Sequence, residues 1–158
     1  VFSRSPIDPL PDPHPASAAA VVMGLVWCSS ILPWRSCGTT PWGEGTTAEK
    51  TSRALEQLTA GLPVGALVWG GDWNHAMEGR EYAGSLAGRA AIKNVLADRQ
   101  LKLATQGLPH RIPGLFTIDH IAVPEAAEIV DVTRVVAEGR RGGRLSDHDI
   151  YATEIALP

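Results

Sequence analysis

The sequence predicts an α/β (α+β) fold, a mixed sheet layered with helices, and three observations predict it. Apolar, β-branched runs recur at residues 18–32, 64–70, 116–123, 128–137 and 150–157, in compositions suited to strands. Two stretches between them, 46–61 and 85–99, carry apolar residues at helical spacing. The late strands then follow one another through short links instead of helices, which adds antiparallel pairs to an alternating start.

Length and composition narrow the class. A chain of 158 residues makes one domain, able to bury about 68–70% of its unfolded surface. With 44% apolar and 20% charged residues it reads as a globular protein. The formal net charge of -3 argues against nucleic-acid attraction through overall charge and leaves only local basic patches for it. No apolar run approaches the roughly 18 residues of a membrane span. The first twenty residues hold prolines and acids where a secretory leader has a basic start and an apolar middle. The sequence begins with Val1 rather than Met, so it need not start where the gene does. Cys28 and Cys37 are too few for a disulfide scaffold, and read as free thiols of a reducing, cytoplasmic compartment.

Residues 1–17 carry Pro6, Pro9, Pro11, Pro13 and Pro15 and read as an extended loop or linker, since each proline fixes φ and removes a donor. The domain proper is then 18–158. His14, between two prolines, sits in a mobile setting and is a poor candidate ligand. Residues 18–32 read as one buried strand, ended by Pro33-Trp34-Arg35, and 36–46 as a Gly/Thr/Pro loop. Trp34 and Trp42, in or near that loop, are read as packing against their own domain, with stacking on a base or sugar as the other role for such an aromatic. Thr46 and Glu49 form a capping box that opens a helix, with Leu55 and Leu58 as its apolar stripe and Gly61 and Pro63 as its stop. In the second helix Ala90, Ala91, Val95 and Leu96 are expected to face the sheet, and Arg89, Lys93 and Asp98 the solvent. A short strand is expected at 101–105. The arginines at 140, 141 and 144 among Gly139, Gly142 and Gly143 read as a solvated turn rather than a phosphate-facing cluster.

The stretch that organises the chain is Leu67–Asn74. An apolar run stops at Gly70-Gly71, and Asp72 and Asn74 follow. In an extended segment positions i and i+2 share a face, so both would point into one site while Trp73 turns away. Two further clusters stand in or beside strands: Asp119-His120 and Asp147-His148. A carboxylate and a histidine within a strand need partners, because burying a charge alone is costly. Carboxylate, carboxamide and imidazole together suit metal-assisted phosphoester hydrolysis, in which a water loses a proton and a leaving oxygen is neutralised.

Gly71-Asp72-Trp73-Asn74, Ile118-Asp119-His120-Ile121 and Ser146-Asp147-His148 resemble, in order, the last three motifs of the endonuclease/exonuclease/phosphatase superfamily. Ile31-Leu32-Pro33-Trp34-Arg35 resembles the end of that family's mid-chain strand. The resemblance spans about residues 20–157 and corresponds to the second half of a family domain. It implies a DNase I-like layered sandwich of mixed β-sheets flanked by helices, with the N-terminal half missing. It also implies a Mg²⁺-dependent hydrolase of phosphodiesters or phosphomonoesters, with Mn²⁺ as a substitute ion. Asp72 resembles the carboxylate that activates or orients water, and Asn74 the amide that helps hold phosphate and metal. Asp119 resembles the acid paired with the catalytic imidazole, Asp147 a metal-side carboxylate, and His148 the histidine at the scissile phosphate. His120 has no family role and reads as structural. The partner implied is a phosphoester substrate, nucleic acid included.

Two departures qualify the resemblance. Family members supply an Asn and a metal-binding Glu from N-terminal strands, whereas no Asn precedes Asn74 and the first Glu is Glu44, in a loop. Many also carry a mid-strand His where this chain has Ser29 and Ser30. The alternative reading is therefore a catalytically inactive fragment or interaction module, or a domain completed by a missing N-terminal half or a partner chain.

Overall fold

Thr46 caps the first helix as its sequence requires. Its hydroxyl accepts from Glu49 N, and the Glu49 carboxylate accepts from Thr46 N. In the computed structural model, which describes residues 3–140 and 142–158, this helix is α1, Thr47–Gly61. Ahead of it run β1 (Asp8–Pro9), β2 (Ser17–Val22) and β3 (Leu25–Ser30). After it come β4 (Leu67–Asp72), α2 (Leu86–Asp98), β5 (Leu101–Leu103), β6 (Asp119–Pro124), β7 (Glu128–Val135) and β8 (Ile150–Ala156). Residues 18–32 are two strands instead of the one expected. Met23 and Gly24, at φ 53° and 78°, make a two-residue turn of the kind that matches strand twist, and β2 folds back antiparallel on β3. The proline-rich start is not wholly a loop, for Asp8 and Pro9 pair with Val21 and Ala20. His14 is buried and stacked on Trp42, the ring centroids 5.1 Å apart.

The main sheet has the order β1-β2-β3-β4-β6-β5. β3 and β4 run parallel, joined through α1, and the other pairs are antiparallel. Strand alternation gives this sheet two apolar faces. Val26, Cys28, Leu67, Trp69 and Ala122 pack against Ala54, Leu55 and Leu58 of α1 and Ile92 and Leu96 of α2. On the opposite face Val68 and Val123 pack with Trp27 and Ile121 against Ile129, Val132 and Ile155. Those last three belong to a separate two-stranded antiparallel ribbon, β7-β8, so the layers are helices, sheet and ribbon. In α2, Ala90 is exposed rather than sheet-facing, while Arg89 turns inward and pairs with Glu81 at 3.4 Å. Among the described residues no helix is long and apolar enough to cross a membrane, and Cys28 and Cys37 are free and buried.

Candidate active site

Register brings the first two carboxylates together. β4 and β6 are antiparallel neighbours, and their last paired residues are Asp72 and Asp119. Alternation then sets both on the ribbon-facing side, with Val68 and Gly70 behind Asp72 and Ile121 and Val123 behind Asp119. His120 points to the opposite side, beside Trp73 at 5.1 Å between ring centroids. The glycine before Asp72 is needed for a close approach: a Cβ on Gly71, at φ 138°, would overlap the carbonyl of Ser30. Leu32 N in turn donates to Asp72 O at 3.0 Å, and Trp73 N to Ile118 O at 2.9 Å, so the sheet edge is tied on both flanks.

His148 reaches this pair from the link between β7 and β8. Its Nδ1 lies 2.9 and 3.0 Å from the two Asp119 oxygens, and its Nε2 is 4.0 Å from Asp72 Oδ2. One donor atom from each of Asp72, Asp119 and His148 falls within 4.8 Å of the others. Burial pushes the Asp72 carboxyl up to about 6, the Asp119 charge adds to the rise, and His148 and Asn74 oppose it. Asp119 is also raised, by burial above all, with its bond to His148 pulling the other way. For His148 burial lowers the value, but the Asp119 bond and the charges of Asp119, Asp72 and Asp147 outweigh it, and the imidazole is held above its ordinary range.

Asn74 does not project as a strand residue two positions beyond Asp72. The strand ends at Asp72, and Asn74 takes a left-handed φ of 53°, a conformation its short polar side chain tolerates. Its N–H donates to Asp72 Oδ1 at 3.1 Å, and its Nδ2 donates to Leu32 O at 3.0 Å. Asn74 thus braces the Asp72 carboxylate and ties the site to the end of the Leu32–Arg35 segment. Asp147 is exposed and lies outside the three-residue group, though its charge acts on both Asp119 and His148. His120 is buried and held neutral, its value pushed down to about 4 by burial. Its Nε2 bonds His75 O at 2.9 Å and its Nδ1 lies 3.3 Å from Thr105 Oγ1.

Several groups near the site are absent from the motif reading. Tyr82 donates to Phe116 O at 3.0 Å and lies near His110. Burial raises its phenol, and Tyr151, Asp119, Glu81 and Asp72 add to the rise. Asp149, next to His148, has its side chain fully buried and pairs with Arg134 and Arg144. Arg144 is thus committed inward, Arg140 is exposed, and Arg141 lies outside the described residues. Of the two loop tryptophans, Trp42 packs inside and Trp34 is exposed. Tyr82 carries no sequence signal, whereas a third acid in Ser146-Asp147-His148-Asp149 is visible and calls for a partner.

No family model matches the chain, and no curated protein does either. Solved structures do. A 3'-5' exonuclease, NExo from Neisseria meningitidis, matches at a TM-score of 0.64 and 22% identity, over 96% of this chain and 72% of that one. An AP endonuclease from Archaeoglobus fulgidus matches at 0.64 and 16%, over 96% and 73%. An endonuclease/exonuclease/phosphatase from Bacteroides vulgatus matches at 0.54 and 16%, over 90% and 54%. The fold is the endonuclease/exonuclease/phosphatase fold. At these identities the likeness establishes the architecture, and the chemistry has to be argued from the residues.

Proposed function

We propose that this chain is a phosphoester hydrolase that works with Mg²⁺ or Mn²⁺, on substrates that include nucleic acid. The observation that carries the reading is the meeting of Asp72, Asp119 and His148, from three distant segments, with donor atoms within 4.8 Å of one another. The endonuclease/exonuclease/phosphatase architecture supports it, as do the nuclease activities for which two of the matched structures are named.

In this reading a water attacks phosphorus, one P–O bond forms and the bond to the leaving oxygen breaks. Asp72, ionised and braced by Asn74, orients that water and takes its proton. His148 as imidazolium donates the Nε2 proton to the leaving oxygen, while Asp119 accepts from Nδ1–H and fixes ring and tautomer. With its Nδ2 committed to Leu32 O, Asn74 serves the reaction in this reading through the Asp72 carboxylate that its N–H holds. The donor set fits a hard cation: two part-exposed carboxylates in the cluster, with 26% and 19% side-chain exposure, and the exposed carboxylate of Asp147 beside them. Mg²⁺ needs only one or two carboxylates because it keeps several waters. Asp147 would hold such an ion at the rim of the Asp72 and Asp119 carboxylates, and the ion would supply charge neutralisation at the phosphoryl oxygens. The reading also includes further strands beside β7-β8, from a preceding segment or a second chain. Val130, Val135 and Ile150 lie exposed on that ribbon, and two strands stand there against six in the main sheet.

The test is hydrolysis of bis(p-nitrophenyl) phosphate with Mg²⁺, with Mn²⁺ and with EDTA. The expected result is a metal-dependent rate that His148→Ala lowers by about 10²–10⁴-fold. A rate indifferent to metal and to His148→Ala overturns the proposal, and an inactive, metal-insensitive chain makes it a non-catalytic module.

A further inference from the structure

Arg144 bridges the two ends of the segment that carries His148. Its Nε donates to Ser146 O at 3.0 Å, and its Nη2 lies 3.4 Å from Asp149 Oδ1. One guanidinium therefore closes a bracket around Asp147 and His148. The far end of the bracket is a fixed point. The Asp149 side chain is fully buried, and its oxygens receive four donors: Arg134 Nε and Nη2 at 2.8 and 2.5 Å on Oδ2, Ala137 N at 3.2 Å and Arg144 Nη2 on Oδ1. Arg134 lies on β7, opposite Tyr151 of β8. A buried carboxylate with every lone pair engaged does not drift, because any movement strands a charge. Inside the bracket His148 N donates to Ser146 Oγ at 3.1 Å.

His148 needs such support. Apart from its bond to Asp119, its setting is half-exposed and it stands on a long link of a two-stranded ribbon. A reacting group displaced by about 1 Å loses up to about 10²-fold in rate. We propose that Arg144 and Asp149 are positioning residues for His148, a clamp that sets the reach of the imidazole toward Asp119 and Asp72 without touching substrate. The inference rests on the hydrolase reading for its kinetic arm only.

The kinetic test compares Arg144→Ala, His148→Ala and the double variant on bis(p-nitrophenyl) phosphate with Mn²⁺. Arg144→Ala is expected to lower kcat about tenfold with KM unchanged. The double variant is expected to be no slower than His148→Ala alone, since a residue acting through another adds nothing once that one is gone. Arg144→Lys is expected to recover part of the loss, an ammonium being unable to span both acceptors as the fork does. A raised KM at constant kcat makes Arg144 a substrate contact and overturns the clamp, as do additive losses in the double variant. The structural test is backbone ¹⁵N relaxation of residues 145–149 in the metal-free protein. Arg144→Ala is expected to raise their mobility, and unchanged order overturns the clamp. Because this arm needs no turnover, a wild-type chain without hydrolase activity would refute the functional reading and still leave the clamp decided.

Discussion

The main sheet and the β7-β8 ribbon each supply part of one site, by different physical means. Asp72 and Asp119 end strands whose helix-facing side is filled by Trp69, Leu67 and Ala122, so they are as fixed as the core itself. His148 stands on a link whose ribbon leaves Val130, Val135 and Ile150 in solvent. It is held by charge instead, through Asp119 on one side and the Asp149 pairs on the other. Apolar packing immobilises one half of the site and ion pairing the other. The halves therefore respond to different perturbations.

The sharpest way to break this comparison is to truncate a large core side chain in the sheet half and a smaller apolar one on the ribbon. Trp69 is wholly buried and its Nε1 donates to Ser30 Oγ at 2.8 Å. Trp69→Ala is expected to cost about 3–5 kcal/mol in urea unfolding, whereas Val132→Ala on the ribbon is expected to cost about 1 kcal/mol. Equal losses would mean that the ribbon is as much core as the sheet.

The ribbon half answers to charge. Asp149→Asn is expected to lose about 2–3 kcal/mol at pH 7. Burial alone would raise the Asp149 carboxyl, but the Arg134 bonds, the Ala137 N–H and the charges of Arg134 and Arg144 hold it below the usual range. A carboxyl lower in the folded than in the unfolded chain stabilises above the unfolded value and loses that contribution as pH falls through the folded one. The gap between wild type and variant should therefore close in acid, which unfolding curves taken from pH 7 to pH 3 would check.

Two smaller effects belong to the sheet half. A Cβ on Gly88 of α2 would run into the ring of His75, whose buried Nε2 has no hydrogen-bond partner among the described residues. Gly88→Ala is expected to lose about 1–2 kcal/mol in spite of the better helix propensity. Adding His75→Ala should remove the specific clash, seen as a coupling between the two substitutions in their melting curves. Asp72→Asn should do the reverse and stabilise. With its carboxyl raised to about 6, the folded chain holds a proton that the unfolded chain has already released. Wild-type stability therefore falls as pH rises from the unfolded value through about 6. After discounting for solvent screening, the variant should gain about 1 kcal/mol above pH 7 in EDTA and nothing below pH 4. No gain at any pH would mean that the carboxylate is not under strain.

What the sequence reveals, and what it hides, follows from how local each signal is. The start of α1 is legible because Thr46 and Glu49 satisfy each other within one turn. The Asp72, Asp119 and His148 segments are legible as motifs, while their meeting depends on the β4-β6 register, which no single stretch encodes. The β2-β3 turn is hidden because Met23 occupies a left-handed position usually taken by Asn, Asp or Gly. The inward turn of Arg89 depends on Glu81, held in place by the Ala83 and Gly84 amides. Period alone assigns an arginine to solvent and an alanine to the sheet. Asn74 misleads for a related reason: period-2 reasoning holds only while the chain stays extended, and the strand stops two residues earlier.

The two outer rims of the molecule are finished differently. At one end of the main sheet the last strand, β1, is two residues long and contains Pro9, which offers an approaching strand almost nothing to join. The ribbon has no such guard, with β7 running eight residues and β8 seven and valines and isoleucines on view. Crowding copies of the isolated chain together should therefore make them adhere along the ribbon first. A lysine in place of Val130 is the simplest way to keep concentrated samples monodisperse.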